Sequence, residues 1–487
     1  MSEDLAKKTG RALKWSAVTE ILAKLVTPVV NIFLARLLLP EAFGAVATVT
    51  MIITFAEVFT DAGFQKYIVQ HEFENEEDLN NGTNVAFWTN FALSALIVSL
   101  IAVFRHQIAE LVGSRELGNA IFAASFSIIA VSFSSIQMAR FKRDFDFKSL
   151  FFVRILSSVI PLVVTIPLAF LFRNFWALII GTLSVNLFNA VALTLKSKWK
   201  PKFYYSFKRF KQMFSFTFWT LLESLLIWVT ANADIFIVGR ALNDYYLGLY
   251  KTSITTINSY MSIITSAVLP ILFSALSRCQ NNSVEFKKTY LRFFKYASLF
   301  LFPMSAGIFI YRELVTYILL GSKWSEAAGF IGLWGLMSGI TIVMGQFSSE
   351  VFRSKGNPRL SMIAQLLHLA FLIPTVIITV SYGFEILYIS RALIRVQSII
   401  VSMLFLCIVY KFSFLEILKN ILPAMASTMI MAAVGFVLLK FVSSTFWEIL
   451  TIFVCIITYF LVLLALFPKT RKDILQSQVL KRILKKK

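Results

Sequence analysis

Two arginines, Arg391 and Arg395, lie one helical turn apart in the otherwise apolar stretch ISRALIRVQSII. A charge at the centre of a bilayer costs about 2.5–3.5 kcal/mol on insertion scales, so charges inside membrane helices usually face a cavity or a partner. Because two like charges cannot neutralise each other, this pair needs an acidic partner or an anionic ligand. The planar fork of a guanidinium suits the oxygens of a phosphate. We therefore predict an anion site here, with Lys24 and Lys251 as further cations, although Lys251 is also placed to reach the outer surface.

Four carboxylates in the predicted membrane segments are candidates for proton or sodium coupling, or for counter-ions to the arginines. They are Glu20, Glu57, Asp61 and Glu223. Glu20 and Lys24 are four residues apart, a spacing at which the two charges could simply neutralise each other. Asp61 lies near the inner end of its predicted span, where water could solvate it. Glu223 and Glu57 are therefore the acids expected first beside the arginines if those side chains face a neighbouring helix.

The elements that carry these charges are predicted to be membrane helices. The chain has 487 residues, of which 58% are hydrophobic and only 15% are charged. Its apolar residues fall into windows of about 20, which is long enough to cross the hydrocarbon layer. We predict an all-α integral membrane protein with about 14 transmembrane helices. The predicted spans are 13–37, 43–65, 84–104, 118–138, 150–172, 175–195, 213–239, 246–272, 289–311, 328–349, 359–381, 384–410, 418–440 and 446–467.

The basic residues predict the orientation, because cytoplasmic loops carry an excess of Lys and Arg. With the N-terminus inside, about 33 of the 47 basic residues fall in inner segments and about 8 in outer ones. Both termini are therefore expected on the cytoplasmic side, and no cleavable signal peptide is apparent. One inner loop, HEFENEEDLNN (71–81), is acidic and does not fit this pattern. The net charge of +21 is thus mostly a feature of one membrane face.

Two segments 204 residues apart resemble each other. IFLARLLLPEAFG (32–44) and FIVGRALNDYYLG (236–248) share an Arg, a Leu and a Gly at matching positions. The repeat predicts two six-helix lobes related by a pseudo-two-fold axis along the membrane normal, with a site between them. The predicted domains are a first lobe (1–195), a basic cytoplasmic linker (196–212), a second lobe (213–411), two additional helices (412–468) and a basic cytoplasmic tail (469–487).

Several kinds of chemistry are absent from the sequence. There is no phosphate-binding Gly-rich loop, no HExxH motif, no CxxC pair and no segment large enough for a soluble catalytic domain. We predict no catalytic residue, no metal site, no cofactor and no nucleic-acid partner. Secondary transport is the function class that remains, and a purely structural membrane protein would not need charges in the middle of its spans.

A stretch in the first half carries a family resemblance. The segment FAEVFTDAGFQKYIVQHEFENEEDLNNGTNVAFWTNFAL (55–93), with ARLLLPEAFG (35–44) and MARFKRDFDFKSL (138–150), resembles the polysaccharide transporter (Wzx-type flippase) family. That family belongs to the multidrug/oligosaccharidyl-lipid/polysaccharide exporter superfamily. The second half matches mainly in layout. The acidic loop is then a family feature, which accounts for the exception to the charge pattern.

The resemblance implies a function and a cargo. It implies two lobes around a V-shaped cavity that opens alternately to each side of a bacterial inner membrane. The cargo would be an undecaprenyl-pyrophosphate-linked oligosaccharide, flipped to the outer leaflet for exopolysaccharide, capsule or O-antigen synthesis. Many relatives are thought to use an ion gradient, so H+ or Na+ could be coupled, and the polymerase of the same pathway could be a partner. Aromatic residues could stack on sugar faces or anchor the interface: Trp219, Trp228, Tyr245 and Tyr246.

Two alternatives within the superfamily remain open at this point. One is a flippase for a lipid II-type peptidoglycan precursor, which would also have 14 spans. The other is a drug/cation antiporter, which would favour an acidic cavity and is disfavoured by the two arginines.

Overall fold

The computed structural model describes residues 26–61, 63–357, 359–441 and 444–475. All regular elements in these ranges are helices. The α-helices are α1 (Val26–Leu37), α2 (Pro40–Asp61), α3 (Phe64–Gln70), α4 (Glu76–Leu111), α5 (Gly118–Arg143), α6 (Phe147–Ile160), α7 (Ile166–Phe172), α8 (Trp176–Lys196), α9 (Phe207–Ala241), α10 (Asp244–Arg278), α11 (Ser283–Ile310), α12 (Arg312–Leu319), α13 (Ala328–Thr341), α14 (Phe347–Ser354), α15 (Arg359–Val380), α16 (Phe384–Leu393), α17 (Arg395–Ile408), α18 (Phe414–Leu438), α19 (Thr445–Leu466) and α20 (Pro468–Leu475). Short π-helical turns join α6 to α7 and α13 to α14.

The expected class, an all-α membrane protein, is confirmed. Thirteen helical segments in the described residues are long and apolar enough to cross a membrane, and each overlaps one of the last 13 predicted spans. The first predicted span, 13–37, is described only from Val26 onward, as α1. The total of 14 spans and the symmetry of two lobes stay predictions.

Helix α4 begins eight residues before the predicted span and includes most of the acidic loop. Asn75 caps it, because its side chain accepts a hydrogen bond from the backbone N–H of Asp78 at 2.8 Å. Three acidic residues in the first turn also face the positive end of the helix dipole. At 36 residues the helix is about 54 Å long, so its polar start extends beyond a hydrocarbon layer of about 30 Å.

Acidic residues of the segment 71–81 pair with basic residues of neighbouring helices. Asp78 forms an ion pair with Arg209, in the first turn of α9. Glu76 lies 3.6 Å from the guanidinium of Arg140, at the end of α5. The loop thus supplies counter-charges that fix the start of α9 beside α4 and α5. Residues 207–212, predicted as the end of a linker, form the first turns of α9, which Ser206 caps.

Contacts divide the chain into two compact units, residues 1–252 and 253–487. In the first unit α5 packs against α2, α4 and α8. In the second unit α11 packs against α13 and α18. Gly339 permits this close packing, because a Cβ there would lie 1.7 Å from Oγ of Ser305 and 2.9 Å from the carbonyl oxygen of Leu301. The division lies within α10, and the lobe boundary at 196–212 stays a prediction.

The two repeated segments pack directly against each other in the first unit. A Cβ on Gly44 would lie 1.8 Å from the carbonyl oxygen of Asp244, and a Cβ on Gly248 would lie 1.9 Å from that of Pro40. The 204-residue offset between the repeated segments relates Pro40 to Asp244 and Gly44 to Gly248. Each contact is therefore the counterpart of the other. Such reciprocity is characteristic of a contact across a local two-fold axis. The N-terminal turns of α2 and α10 therefore meet through their backbones at two glycines.

Candidate functional site

Arg391 and Arg395, in the second unit, share one aromatic surface. Arg391 lies in the last turn of α16 and Arg395 begins α17, with the helices joined at Ile394. Both guanidinium groups lie over the ring of Trp334 on α13, at 5.0 Å and 4.2 Å from its centroid. Trp334 is only 3% exposed, and its indole N–H donates to Oδ1 of Asn258 at 3.2 Å. A buried and oriented indole thus holds two cations side by side.

Arg395 has a hydroxyl and an indole as neighbours. Its Nη1 donates to Oγ of the buried Ser338 at 2.8 Å. Among the described residues it has no carboxylate partner. A guanidinium carries five N–H donors, and only one of these is used by Ser338.

The arrangement can stabilise charge without neutralising it. A cation over an indole gains about 0.5–1 kcal/mol when exposed and about 2 or more when desolvated. This attraction offsets part of the repulsion between the two guanidiniums, and an indole, unlike a carboxylate, does not neutralise their charge. Nothing in the charge pattern predicted Trp334. The signal that could have found it is a tryptophan in the middle of a span, since tryptophan usually lies at the membrane interface.

His368 and Gln397, which lies two residues after Arg395 on α17, form a polar contact. Nδ1 of His368 lies 3.2 Å from Oε1 of Gln397. The Nε2 of Gln397 is buried and has no partner in the part of the chain that the structure describes. Polar groups therefore continue along α17 beyond the arginine pair.

Lys251 lies beside a buried acid in the first unit. Asp234 on α9 is 5% exposed and attracts the Lys251 ammonium on α10. Oδ2 of Asp234 accepts a hydrogen bond from the hydroxyl of Tyr250 at 2.9 Å. Oδ1 of the same carboxylate accepts one from the backbone N–H of Ile235 at 2.9 Å. Asp234 was not among the predicted site residues, although a carboxylate inside the predicted span 213–239 was a visible signal. Lys251 is thus balanced locally, which is the usual solution for an intramembrane charge.

Glu57 lines a small, mostly apolar cavity between α2, α5 and α8. The cavity has a volume of about 190 Å³, and hydroxyl and amide side chains line part of it: Thr50, Thr54, Ser127, Thr182 and Asn186. Trp228 on α9 donates its indole N–H to Oγ1 of Thr54 at 3.1 Å. A second cavity of about 460 Å³, which includes Arg154, shares Val46 and Thr182 with it. Glu57 and Arg154 therefore lie in two adjacent cavities inside the first unit.

The other predicted site residues lie away from the arginine pair or outside the residues that the structure describes. Glu223 forms an exposed ion pair with Lys66 of α3, with Nζ and Oε2 3.0 Å apart. Such exposed pairs contribute about 0–1 kcal/mol. Asp61 is the last residue of α2, and its side chain is outside the described part, as is that of Trp219. Two further residues lie wholly outside the described residues: Glu20 and Lys24. Tyr245 and Tyr246 pack edge to face at 5.3 Å.

Comparison with known proteins identifies the family of the chain. A family model described as "Polysaccharide biosynthesis protein" matches residues 33–329. The succinoglycan biosynthesis transport protein ExoT of Rhizobium meliloti is 23% identical over 335 residues, covering 69% of this chain and 67% of ExoT. The lipopolysaccharide biosynthesis protein WzxC of Escherichia coli is 19% identical over 360 residues, covering 73% of this chain and 69% of WzxC.

A solved structure has a similar fold. The inward closed conformation of the lipid II flippase MurJ superposes with a TM-score of 0.74 at 14% identity. The match covers 95% of this chain and 100% of that one. At this identity the likeness concerns the fold alone.

Proposed function

We propose, since the chain belongs to the polysaccharide biosynthesis protein family, that it flips undecaprenyl-pyrophosphate-linked oligosaccharide repeat units across a bacterial inner membrane. The direction would be from the cytoplasmic to the outer leaflet, with both termini on the cytoplasmic side. Membership confirms the resemblance first seen in residues 55–93. The names of ExoT and WzxC connect this family with polysaccharide biosynthesis, and that of ExoT with transport.

One observation carries the proposal: two guanidiniums lie over a single buried indole, and Ser338 takes only one of the five N–H donors of Arg395. A pyrophosphate offers several anionic oxygens close together, and arginine can bind such oxygens with two parallel hydrogen bonds. We assign Arg391 and Arg395 to this anion. Lys24 and Lys251 are proposed as further cations along its path.

The proposed mechanism is alternating access without covalent chemistry. The arginine pair attracts the pyrophosphate while the sugars cross a wet cavity and the lipid tail stays in the membrane. Binding can drive a change between two conformations only through a difference in affinity between them. Four carboxylates are the proposed coupling groups or counter-ions: Glu20, Glu57, Asp61 and Glu223. Of these, Glu57 has the strongest structural support, because it lines a cavity within the helices together with hydroxyl and amide side chains.

The main rival is a flippase for a lipid II-type precursor, since the fold resembles that of MurJ. Both cargoes carry a pyrophosphate, so the arginine pair does not separate them. The family match and the two relatives favour a polysaccharide precursor. A drug/cation antiporter is disfavoured, because a cationic pair repels cationic cargo.

The test is complementation of a deletion strain. Cells that carry Arg395→Ala should lose surface polysaccharide and accumulate the lipid-linked repeat unit, while the variant protein reaches the membrane at normal levels. Arg105→Ala is the matched control, since it removes an arginine that lies 5.9 Å from the Phe122 ring centroid on other helices. Normal export by an Arg391→Ala/Arg395→Ala double variant would exclude the anion assignment. Lethality of the deletion itself would favour the peptidoglycan precursor.

A further inference from the structure

An amphipathic cavity in the second unit lies beside the first half of α11. It has a volume of about 750 Å³, within the range of small-molecule sites. A stripe of α11 residues at helical spacing forms one wall: Glu285, Lys288, Thr289, Arg292, Phe293, Tyr296, Ala297 and Phe300. Residues of α10 face this wall, among them Ile264, Thr265 and Val268.

The polarity of this wall changes along the helix in one direction. The first two turns present Glu285, Lys288 and Arg292, all of which are exposed. Tyr296 follows one turn later, and Phe300 and its apolar neighbours come last. Since α11 is long and apolar enough to cross the membrane, its charged end lies at one surface and Phe300 lies deeper. The groove thus has a cationic mouth, an amphipathic middle and an apolar end.

The two cations at the mouth have no partner in the described part of the chain. Lys288 and Arg292 make no hydrogen bond or ion pair with any residue that the structure describes. They are one helical turn apart on the same face, so an oxyanion could contact both. Glu285, three residues before Lys288, also takes no basic partner among the described residues. Its carboxylate can accept hydrogen bonds from hydroxyl groups.

We propose that this groove binds an anionic glycerophospholipid, such as phosphatidylglycerol, as a resident lipid. The phosphate lies at Lys288 and Arg292, a hydroxylated headgroup donates hydrogen bonds to Glu285, and an acyl chain fills the space between Phe300 and α10. The positive-inside pattern assigns this lipid to the cytoplasmic leaflet. The proposal does not depend on the cargo of the protein.

The charges favour a phospholipid over other phosphate compounds. Two cations and one acid give the mouth a net charge of about +1, which matches a phosphodiester with one negative charge better than a diphosphate. A free phosphate would not use the apolar part of the groove. A lipid without net charge would lose the long-range attraction that concentrates anionic lipids near basic groups, about 1 kcal/mol per Lys or Arg.

Native mass spectrometry of the full-length protein, titrated with phosphatidylglycerol or phosphatidylcholine, tests the proposal. Wild type should retain one phosphatidylglycerol and prefer it to phosphatidylcholine. Lys288→Gln/Arg292→Gln should weaken phosphatidylglycerol binding at least about tenfold, because two charge-assisted contacts are lost. The control Arg278→Gln/Lys419→Gln removes two exposed basic residues that lie outside the groove, and should leave binding unchanged.

A second variant separates insertion into the groove from attraction to a charged surface. Ala297→Phe keeps every charge but fills the middle of the groove, so it should abolish retention of phosphatidylglycerol. Glycerol 3-phosphate, which has the charge without the chains, should not compete. Equal binding of the two lipids, equal binding by wild type and the Lys288→Gln/Arg292→Gln variant, or full retention by Ala297→Phe would overturn the proposal. Preferential retention of a polyprenyl diphosphate would also overturn it.

Discussion

The contact between the repeated segments allows a sharp prediction about Gly44 and Gly248. An added Cβ at Gly44 would lie 1.8 Å from a backbone carbonyl oxygen, whereas ordinary contact begins at 3.4 Å. The two helix starts would have to separate by the difference, about 1.6 Å. A backbone carbonyl cannot rotate away as a side chain can. We therefore expect a cost at the upper end of the overpacking range, about 3 kcal/mol.

Part of this cost is offset by the intrinsic helix propensity of alanine. Replacing a glycine inside a helix by alanine stabilises by about 0.5–1 kcal/mol. Gly44→Ala and Gly248→Ala should each have a net cost of about 2 kcal/mol. Because one separation of the helices relieves both clashes, the double variant should cost about as much as either single one. Gly307→Ala is the control: nothing lies within 4 Å of its added Cβ, so it should be neutral or slightly stabilising.

The assay is thermal unfolding of the purified proteins in one detergent, with the apparent melting temperature as the readout. Lower values for both single variants, no further decrease for the double variant, and no decrease for Gly307→Ala are expected. If Gly44→Ala were as stable as Gly307→Ala, the close backbone contact would be wrong. Fully additive losses would refute the reciprocal arrangement instead.

Two further predictions concern the intramembrane charges. Trp334→Leu removes the aromatic surface under Arg395, so polysaccharide export should fall about tenfold or more. Trp447→Leu is the control and should export normally, because Trp447 contacts neither arginine in the structure. Asp234→Ala leaves the Lys251 ammonium without its acid in the membrane and should destabilise by about 3–5 kcal/mol, whereas Asp234→Leu/Lys251→Met should recover most of the loss. The first prediction is checked by measuring polysaccharide export and the level of the variant protein in the membrane. The second is checked by thermal unfolding. If Asp234→Ala were as stable as wild type, Asp234 and Lys251 would not be coupled.

The sequence predicted the bounds of the helices well where hydropathy determines them. It predicted them poorly where polar capping residues determine the start of the helix. The apolar segments of α8 and α15 agree with their predicted spans to within a residue or so. The starts of α4 and α9 do not, because polar residues that reduce hydropathy also form good helix starts. Asn75 and Ser206 cap these helices, and the acidic residues after Asn75 then pair with Arg140 and Arg209.

The charged residues of the site were visible in the sequence, but their partners were not. Composition and spacing identified Arg391 and Arg395 because charge in an apolar helix is conspicuous. Trp334 lies 57 residues before Arg391, and only the packing of α13 against α16 and α17 brings it under both guanidiniums. The repeat shows the same limit: three matching residues identified equivalent positions but could not show that the two copies touch.

The central claim is that Arg391 and Arg395 bind the pyrophosphate of a lipid-linked oligosaccharide during transport. Proteoliposomes with the purified protein and a fluorescent undecaprenyl-pyrophosphate oligosaccharide test it most directly. Wild type should move the labelled lipid between leaflets, and Arg391→Gln/Arg395→Gln should be slower by about two orders of magnitude, since two charge-assisted contacts are lost. Equal rates for wild type and the double variant would contradict the account.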